Sequence, residues 1–189
     1  MPLRRLISLA GFICAVCAVA WAVPAVAEQS PAASVPEALK PDLTALKGWV
    51  GTWSCSTKSS RRAYAFTGTA SYGFDPEGRW LVNSGTSNPV AWFPFNGAST
   101  EFITYDTVRR HWVDIYVDSA GNYQVSTSPG PNGTTWVWHD LGLQGPTGDI
   151  ASYGDATTIV QAKTLTKEYR FKTKAGKVFD VKTACKRML

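Results

Sequence analysis

Few side chains in this sequence are of the types that carry out catalysis. There are two histidines, His111 and His139, and they fall on different predicted strands. Asp140 follows His139 directly, but neighbouring residues of a strand point to opposite faces, so this pair is not oriented as a base with its carboxylate. The common nucleophile, phosphate-binding and dinucleotide-binding motifs are absent. We predict no catalytic residue, and a hydrolase or isomerase that uses His139 or His111 as general base remains an alternative.

Metal and cofactor sites are not predicted either. Two isolated histidines without a C-x-x-C pair offer too few convergent donors for zinc or haem. Among the carboxylates, Asp114 and Asp118 share one face of the segment HWVDIYVD. We interpret that face as a solvated outer surface.

Aromatic residues are the stronger signal, with eight tryptophans in 189 residues. Large aromatic side chains inside a β-protein either pack a solid core or line a pocket for an apolar or ring-bearing ligand. The connection at 88–99, NPVAWFPFNGAS, is also rich in aromatic residues and would form a lid or an exposed contact patch. We predict a small apolar or aromatic ligand, with these contacts: Trp112, Tyr116, Trp136 and Trp138 as wall, and Trp92, Phe93 and Phe95 as lid. The alternative is an envelope-associated interaction protein with a solid interior, in which this loop docks a partner.

The elements that must position these residues are short strands. In AYAFTGTASYGF, the residues Tyr64, Phe66, Ala70, Tyr72 and Phe74 share one face and polar residues take the other. About ten such segments follow one another with loops of hairpin length: GTWSCST, AYAFTGTASYGF, RWLVNSG, EFITYD, HWVDIYVD, YQVSTSP, TTWVWHD, TTIVQAKTL, KEYRFKT and VFDVKTAC. The pattern predicts an all-β fold, a single antiparallel up-and-down barrel preceded by a short helical turn, because closure removes the exposed edges. A β-sandwich is the alternative.

The first 40 residues indicate export. Arg4 and Arg5 precede an apolar run that ends in Ala25-Val26-Ala27, which is the layout of a signal peptide over residues 1–27. An uncleaved membrane anchor is the alternative. Residues 28–40 are rich in Pro, Ala and Ser and predict a disordered linker, and residues 41–189 form the β-barrel domain. We therefore expect a periplasmic or secreted monomer with no membrane span after cleavage.

Two cysteines, Cys55 and Cys185, remain beyond the predicted signal peptide. An even count in an exported protein favours a disulfide, which here would join the first predicted strand to the last. In the chain-entropy model a loop of this length stabilises the fold by about 4–5 kcal/mol. The alternative is a pair of buried free thiols.

The distribution of basic residues argues against a nucleic-acid partner. The formal net charge is +5 and the basic residues are scattered, with small clusters only at KSSRR and near the C-terminus. This falls short of the basic surface that nucleic-acid binding requires, so we predict no nucleic-acid partner.

The stretch Gly51-Thr52-Trp53, entered from a short helical turn, resembles the start of lipocalins and other calycins. The resemblance implies that Gly51 and Trp53 close one end of the barrel, with Trp53 against a basic side chain near the last strand. Arg187 is the first candidate for that side chain and Lys186 the second.

Two further resemblances concern the same start. Together with YDTVRRHWVDIYVD and YQVSTSPG, it makes the chain similar to an uncharacterised group of exported bacterial G-T-W domains. The G-T-W start also resembles nitrobindin-like haem barrels, but this chain has no C-terminal histidine to act as axial ligand. The T-D-Y-x-x-Y stretch of lipocalins is absent too. No cofactor is therefore predicted.

Overall fold

The computed structural model describes residues 40–91, Pro94, 96–144 and 149–189. The predicted signal peptide, nearly all of the predicted linker, and Trp92, Phe93 and Phe95 lie outside the described residues. Among the described residues, no helix has the length and apolar character needed to cross a membrane.

The described chain begins with a short 3-10 helix, Thr44–Trp49, and continues almost entirely as strands. The strands of the described residues are β1 (Gly51–Ser59), β2 (Phe66–Phe74), β3 (Leu81–Ser87), β4 (Gly97–Asp106), β5 (His111–Asp118), β6 (Tyr123–Ser128), β7 (Thr135–Gln144), β8 (Ile150–Tyr153), β9 (Ala156–Val160), β10 (Thr164–Thr173) and β11 (Val178–Arg187).

The sheet closes on itself. Successive strands pair antiparallel from β1 to β7, β7 pairs with β9, β9 with β10 and β10 with β11, and β11 returns to β1. Strands β8 and β9 pair with different parts of β10, so together they fill one position and the barrel has ten. The predicted closed antiparallel barrel is confirmed, and the sandwich alternative is wrong. Closure leaves few exposed edges in so long a meander, because every described strand except β8 pairs with two neighbours.

One predicted strand is divided in two, and one strand of the structure was not predicted. The segment TTIVQAKTL was expected to be one strand, but the chain reverses within it between β9 and β10. The backbone N–H of Gln161 donates to the carbonyl of Thr164 at 2.8 Å and closes this turn. The turn contains no Gly, Pro or Asn, so its sequence lacked the usual signal. The short strand β8 was not predicted.

Alternation along the strands decides which side chains enter the barrel. In β2, Ala70 and Tyr72 are partly buried while Thr69 and Ser71 are exposed, as the period-2 pattern predicts. The ends of that pattern are wrong. Tyr64 precedes the strand and is 83% exposed, and Phe74, the last residue of β2, is 39% exposed.

One end of the barrel is covered by the 3-10 helix. This helix lies at the end where β1 begins and buries Leu46 and Trp49 in the core. The predicted disulfide is present between Cys55 on β1 and Cys185 on β11, which lie opposite each other in the register. It therefore fastens the seam between the first and the last strand of the barrel.

Candidate functional site

Tryptophans form the floor of the barrel at its closed end. The Trp53 side chain is fully buried, and its Nε1 donates to the backbone carbonyl of Trp49 at 2.9 Å. Trp49 contacts Trp136 edge-on with ring centroids 5.9 Å apart, and Trp136 stacks on Trp138 at 5.4 Å. Trp112 contacts Trp136 edge-on at 5.2 Å. Through these aromatic contacts the tryptophans pack against one another and fill the floor.

Arg187 closes this end from outside. Its guanidinium carbon lies 4.2 Å from the centroid of the Trp53 ring, a cation–π contact. Its N–H groups donate to the carbonyls of Gly48 at 2.7 Å, Ala162 at 2.8 Å and Val50. Gly51 has a φ of 130°, and a Cβ built there would lie 2.5 Å from Nη1 of Arg187. Position 51 therefore requires glycine so that Arg187 can reach its carbonyl partners.

Above the aromatic floor lies a cavity of about 550 Å³. Its lining runs from Trp138 and Leu165 near the floor to Asn88 and Ser119 at the opposite rim. Pockets that hold small organic molecules fall in the range of about 300–1,000 Å³. The described interior is therefore not solid.

A group of five side chains, which we call the polar cluster, crosses this cavity: Tyr72, Asn83, Glu101, Asp114 and Lys167. Nζ of Lys167 lies 3.0 Å from Oε1 of Glu101. The hydroxyl of Tyr72 donates to Oε2 of Glu101 at 2.9 Å, and Nδ2 of Asn83 donates to the same oxygen at 3.3 Å. Both oxygens of the Glu101 carboxylate are thus occupied.

Asp114 has fewer hydrogen-bond partners than Glu101, the other carboxyl of the polar cluster. Its side chain is 6% exposed, and Oδ2 lies 3.9 Å from Nζ of Lys167. Its Oδ1 and Oδ1 of Asn83 are buried acceptors without a hydrogen-bond partner. Buried polar atoms are nearly always paired, so two such atoms in one cavity wall point to a ligand or to ordered water.

The two carboxyls titrate in opposite directions. Burial raises the pKa of Asp114 well above its usual value, and the negative charge of Glu101 raises it further against the smaller opposing effect of Lys167. Burial also raises the pKa of Glu101, but the charge of Lys167 together with the hydrogen bonds from Lys167, Asp114 and Tyr72 lowers it by more, so the net pKa is lowered. Glu101 is accordingly the carboxylate and Asp114 the protonated acid beside it.

Lys167, Tyr116 and Tyr169 in the cavity wall hold their ordinary charge states. Burial lowers the pKa of Lys167, but Glu101 and Asp114 raise it by more, so the amine stays an ammonium. Burial raises the pKa of Tyr116 and of Tyr169 to about 12, which keeps both phenols neutral. Among the described residues the cavity therefore offers one carboxylate, one ammonium, one neutral carboxyl and several neutral phenols at this depth.

The predicted wall residues divide into two groups. Tyr116 and Trp138 line the cavity, whereas Trp112 and Trp136 belong to the packed core of the floor and do not line its described part. The reason is depth along the strand: Trp112 and Trp136 lie near the closed end, and Tyr116 lies four residues further toward the rim. The predicted lid residues Trp92, Phe93 and Phe95 lie outside the described residues.

Neither histidine is part of the described cavity wall. The side chain of His139 is 53% exposed, and its Nδ1 lies 3.1 Å from Asp155 at the outer surface. His111 alternates with the inward-pointing Trp112 and so points outward. A general-base role for either histidine in this cavity therefore has no geometric support.

The prediction that Asp114 belongs to a solvated outer face is wrong. Asp114 is 5% exposed and points into the barrel, because it shares the parity of Trp112 and Tyr116. Asp118, on the same face, lies at the rim, where its carboxylate accepts hydrogen bonds from Ala120 and Asn122.

Sequence reasoning missed the rest of the polar cluster as well. The signal was again alternation: Glu101 shares the parity of Ile103, and Lys167 shares that of Leu165, both of which are buried.

Residues 40–185 match a family described as "Protein of unknown function (DUF1579)". The chain belongs to this family. The match spans the whole barrel up to Cys185, so the fold and the polar cluster both lie within the DUF1579 region. No curated protein matches the chain.

Two solved structures show similarity to this DUF1579 chain. Rv2717c from M. tuberculosis aligns with a TM-score of 0.62 at 10% identity, over 80% of this chain and 99% of that one. A de novo designed fluorescence-activating β-barrel aligns at a TM-score of 0.43 and 12% identity, over 76% of this chain and 97% of that one. At these identities the similarity to Rv2717c supports the fold alone. Neither protein is described as a lipocalin or calycin, so that resemblance stays a prediction.

Proposed function

We propose that this protein binds a small molecule with an apolar or aromatic body inside its barrel. The observation that carries the proposal is the cavity of about 550 Å³, whose described wall holds three buried acceptors without a partner, on Asn83, Asp114 and Asn122. A solid barrel would bury these positions against other side chains. The cavity combines apolar walls with a few fixed polar groups, which is the usual composition of a small-molecule site.

The two ends of the barrel suit a binding protein. The closed end is held by tryptophan packing, by Arg187 and by the disulfide, so it stays rigid while the other end exchanges ligand. The lining reaches the connections at the opposite rim, through Asn88 and Ser119. The predicted lid residues follow Asn88 in the same connection, and their role as a lid is part of the proposal.

Export is also part of the proposal. A cystine across the β1–β11 seam is typical of oxidising compartments outside the cytoplasm, and it agrees with the predicted signal peptide. We infer that the barrel acts in the periplasm or as a secreted protein and carries its ligand there.

A dye-binding titration tests the proposal. N-phenyl-1-naphthylamine is an uncharged ring-bearing dye that becomes fluorescent when it enters a dry apolar site. Ala70→Phe places a ring into the cavity from β2, whereas Ser71→Phe places the same ring on the exposed face of that strand. We expect wild type and Ser71→Phe to bind the dye equally and Ala70→Phe to bind it at least about tenfold more weakly.

Thermal unfolding of both variants verifies that each is folded. If folded wild type does not bind the dye, or if folded Ala70→Phe binds it as wild type does, the proposed function is wrong. Should Ala70→Phe not fold, Thr183→Phe blocks the cavity from β11 instead.

A further inference from the structure

The unpartnered acceptors of the polar cluster indicate which chemical group a ligand needs in order to bind there. Oδ1 of Asn83 and Oδ1 of Asp114 belong to residues that are 6% and 5% exposed, and both residues line the cavity. A buried acceptor left without a donor is destabilising, so the complementary group is one that donates hydrogen bonds. Two acceptors in one wall favour a group with several N–H donors over a single hydroxyl.

Asp114 is the carboxyl that a ligand can reach. The carboxylate of Glu101 already accepts from Lys167, Tyr72 and Asn83. The ammonium of Lys167 lies against Glu101 and is 3.9 Å from Asp114, beyond hydrogen-bond distance. Asp114 therefore has only this long contact with a cation, and its Oδ1 has no hydrogen-bond donor.

Acidic side chains outnumber basic ones in the described lining of the cavity, in contrast to the whole chain. Among the described residues that line it, the acids are Glu101, Asp114 and Asp118 and the base is Lys167. The whole chain carries a formal net charge of +5. Because Asp114 is protonated and Glu101 is paired with Lys167, the polar cluster itself carries no net charge until Asp114 loses its proton. A cation that takes the place of this proton is therefore favoured over an anion at this depth.

Aromatic faces surround the same space. Tyr72, Tyr116, Tyr169 and Trp138 line the cavity, and their neutral rings present the negative face that attracts cations. The binding of organic ammonium groups between aromatic rings and a carboxylate uses this combination.

We propose that the cavity selects organic cations, small molecules with a primary ammonium group held by Asp114 and Asn83 and with a ring-bearing or apolar body against the aromatic wall. This inference rests on the proposed function, because it names the class of ligand for the same cavity.

Binding of the ammonium is coupled to release of a proton. Asp114 is neutral in the empty cavity, since burial and the charge of Glu101 raise its pKa. The groups that act on it are Glu101 from β4 and Lys167 from β10, with Tyr72 from β2 reaching Glu101. When the ammonium arrives, the carboxyl proton leaves to solvent and the ligand's charge replaces it. Affinity for the amine therefore rises with pH while the amine itself stays protonated.

Three probes with one body separate the head groups: 2-(2-naphthyl)ethylamine, 2-(2-naphthyl)ethanol and 2-naphthylacetate. Each is used to displace N-phenyl-1-naphthylamine from wild type, Asp114→Asn and Asp155→Asn. Asp155 lies at the outer surface beside His139, so its substitution is a matched loss of one carboxyl outside the cavity.

We expect the amine to bind wild type about 10- to 100-fold more tightly than the alcohol, and the carboxylate to bind most weakly. Asp114→Asn should lose this preference and its pH dependence, and Asp155→Asn should keep both. If the dye binds but the alcohol or the carboxylate displaces it as well as the amine does, the head-group inference is wrong and the proposed function stands. If folded wild type binds neither the dye nor any probe, both are wrong.

Discussion

The ammonium of Lys167 lies 3.0 Å from the carboxylate of Glu101, and this ion pair spans the interior of the barrel. Lys167 is on β10 and Glu101 on β4, five positions apart in a ring of ten strands. The pair joins opposite walls, and it fixes the carboxylate to which Tyr72 and Asn83 also donate. A ligand in the cavity therefore meets a polar group held in place from both sides.

The first prediction concerns removal of one partner of this pair. Lys167→Met leaves the Glu101 carboxylate buried without its cation, which should lower the free energy of unfolding by about 3–5 kcal/mol. Adding Glu101→Gln to this variant should restore much of the loss, because the uncompensated charge disappears. Lys182→Met removes the cation of an exposed pair with Glu168 and should change stability by less than about 1 kcal/mol. Urea unfolding at neutral pH measures all three, and equal losses for the two lysines would contradict the account.

The second prediction concerns the pH dependence of stability. The pKa of Asp114 is raised in the folded protein, so its favourable contribution is complete below the pKa of the unfolded carboxyl and is lost as pH rises toward the folded value. Asp114→Asn keeps a neutral side chain at every pH. The unfolding free energy of the variant relative to wild type should therefore increase with pH above about 4, by at most about 1.4 kcal/mol per pH unit. Urea unfolding at a series of pH values tests this, and a constant difference would show that Asp114 does not titrate abnormally.

The titration of Glu101 changes the unfolding free energy with pH in the opposite direction from that of Asp114. Its folded pKa is lowered, so its contribution is present above the pKa of the unfolded carboxyl and is lost as pH falls through the folded value. Glu101→Gln should thus reduce the change of the unfolding free energy with pH below the pKa of the unfolded carboxyl. Asp114→Asn should reduce that change at pH values above it.

These residues show how much of the site could be predicted from the sequence. Alternation with Trp112 and Tyr116 already places Asp114 on the aromatic face of its strand, and that face proves to be the interior. Which inward residues meet across the barrel is another matter. The contact between Glu101 and Lys167 depends on closure and register over 66 residues of chain, which no local pattern contains.

More of the fold than of the site could be predicted from the sequence. Most strands follow from period-2 alternation and turn residues, and the Cys55–Cys185 bridge follows from the cysteine count and the strand order. The turn between β9 and β10 was missed because Gln161–Thr164 contains no turn residue, and its geometry depends on tertiary contacts such as the bond from Arg187 to the carbonyl of Ala162.

The third prediction concerns the disulfide. Replacing both Cys55 and Cys185 with alanine releases the seam between β1 and β11 and should lower the free energy of unfolding by about 2–5 kcal/mol. Wild type in the presence of a reductant should approach the melting temperature of the double variant. A reductant that leaves the melting temperature of wild type unchanged, while free-thiol titration shows full reduction, would contradict a stabilising role.

The fourth prediction compares the two basic residues near the C-terminus. Arg187→Lys cannot reproduce the three bonds to Gly48, Val50 and Ala162 or the planar contact with Trp53, and it should cost about 1.5–3 kcal/mol. Lys186→Met, at an exposed position of the same strand, should change stability by less than about 0.5 kcal/mol. Thermal unfolding followed by tryptophan fluorescence distinguishes them. Similar losses at both positions would mean that Arg187 has no special part in closing the barrel.

Nuclear magnetic resonance of the indole N–H groups tests the central claim, that a ligand enters the barrel, most directly. Trp138 lines the cavity, whereas Trp80 contacts Phe102 and is not part of the described cavity wall. On addition of 2-(2-naphthyl)ethylamine, we expect a saturable shift of the Trp138 signal and an unchanged Trp80 signal, and we expect Ala70→Phe to abolish the Trp138 shift. An unperturbed Trp138 signal at concentrations that saturate dye displacement would contradict binding in the cavity.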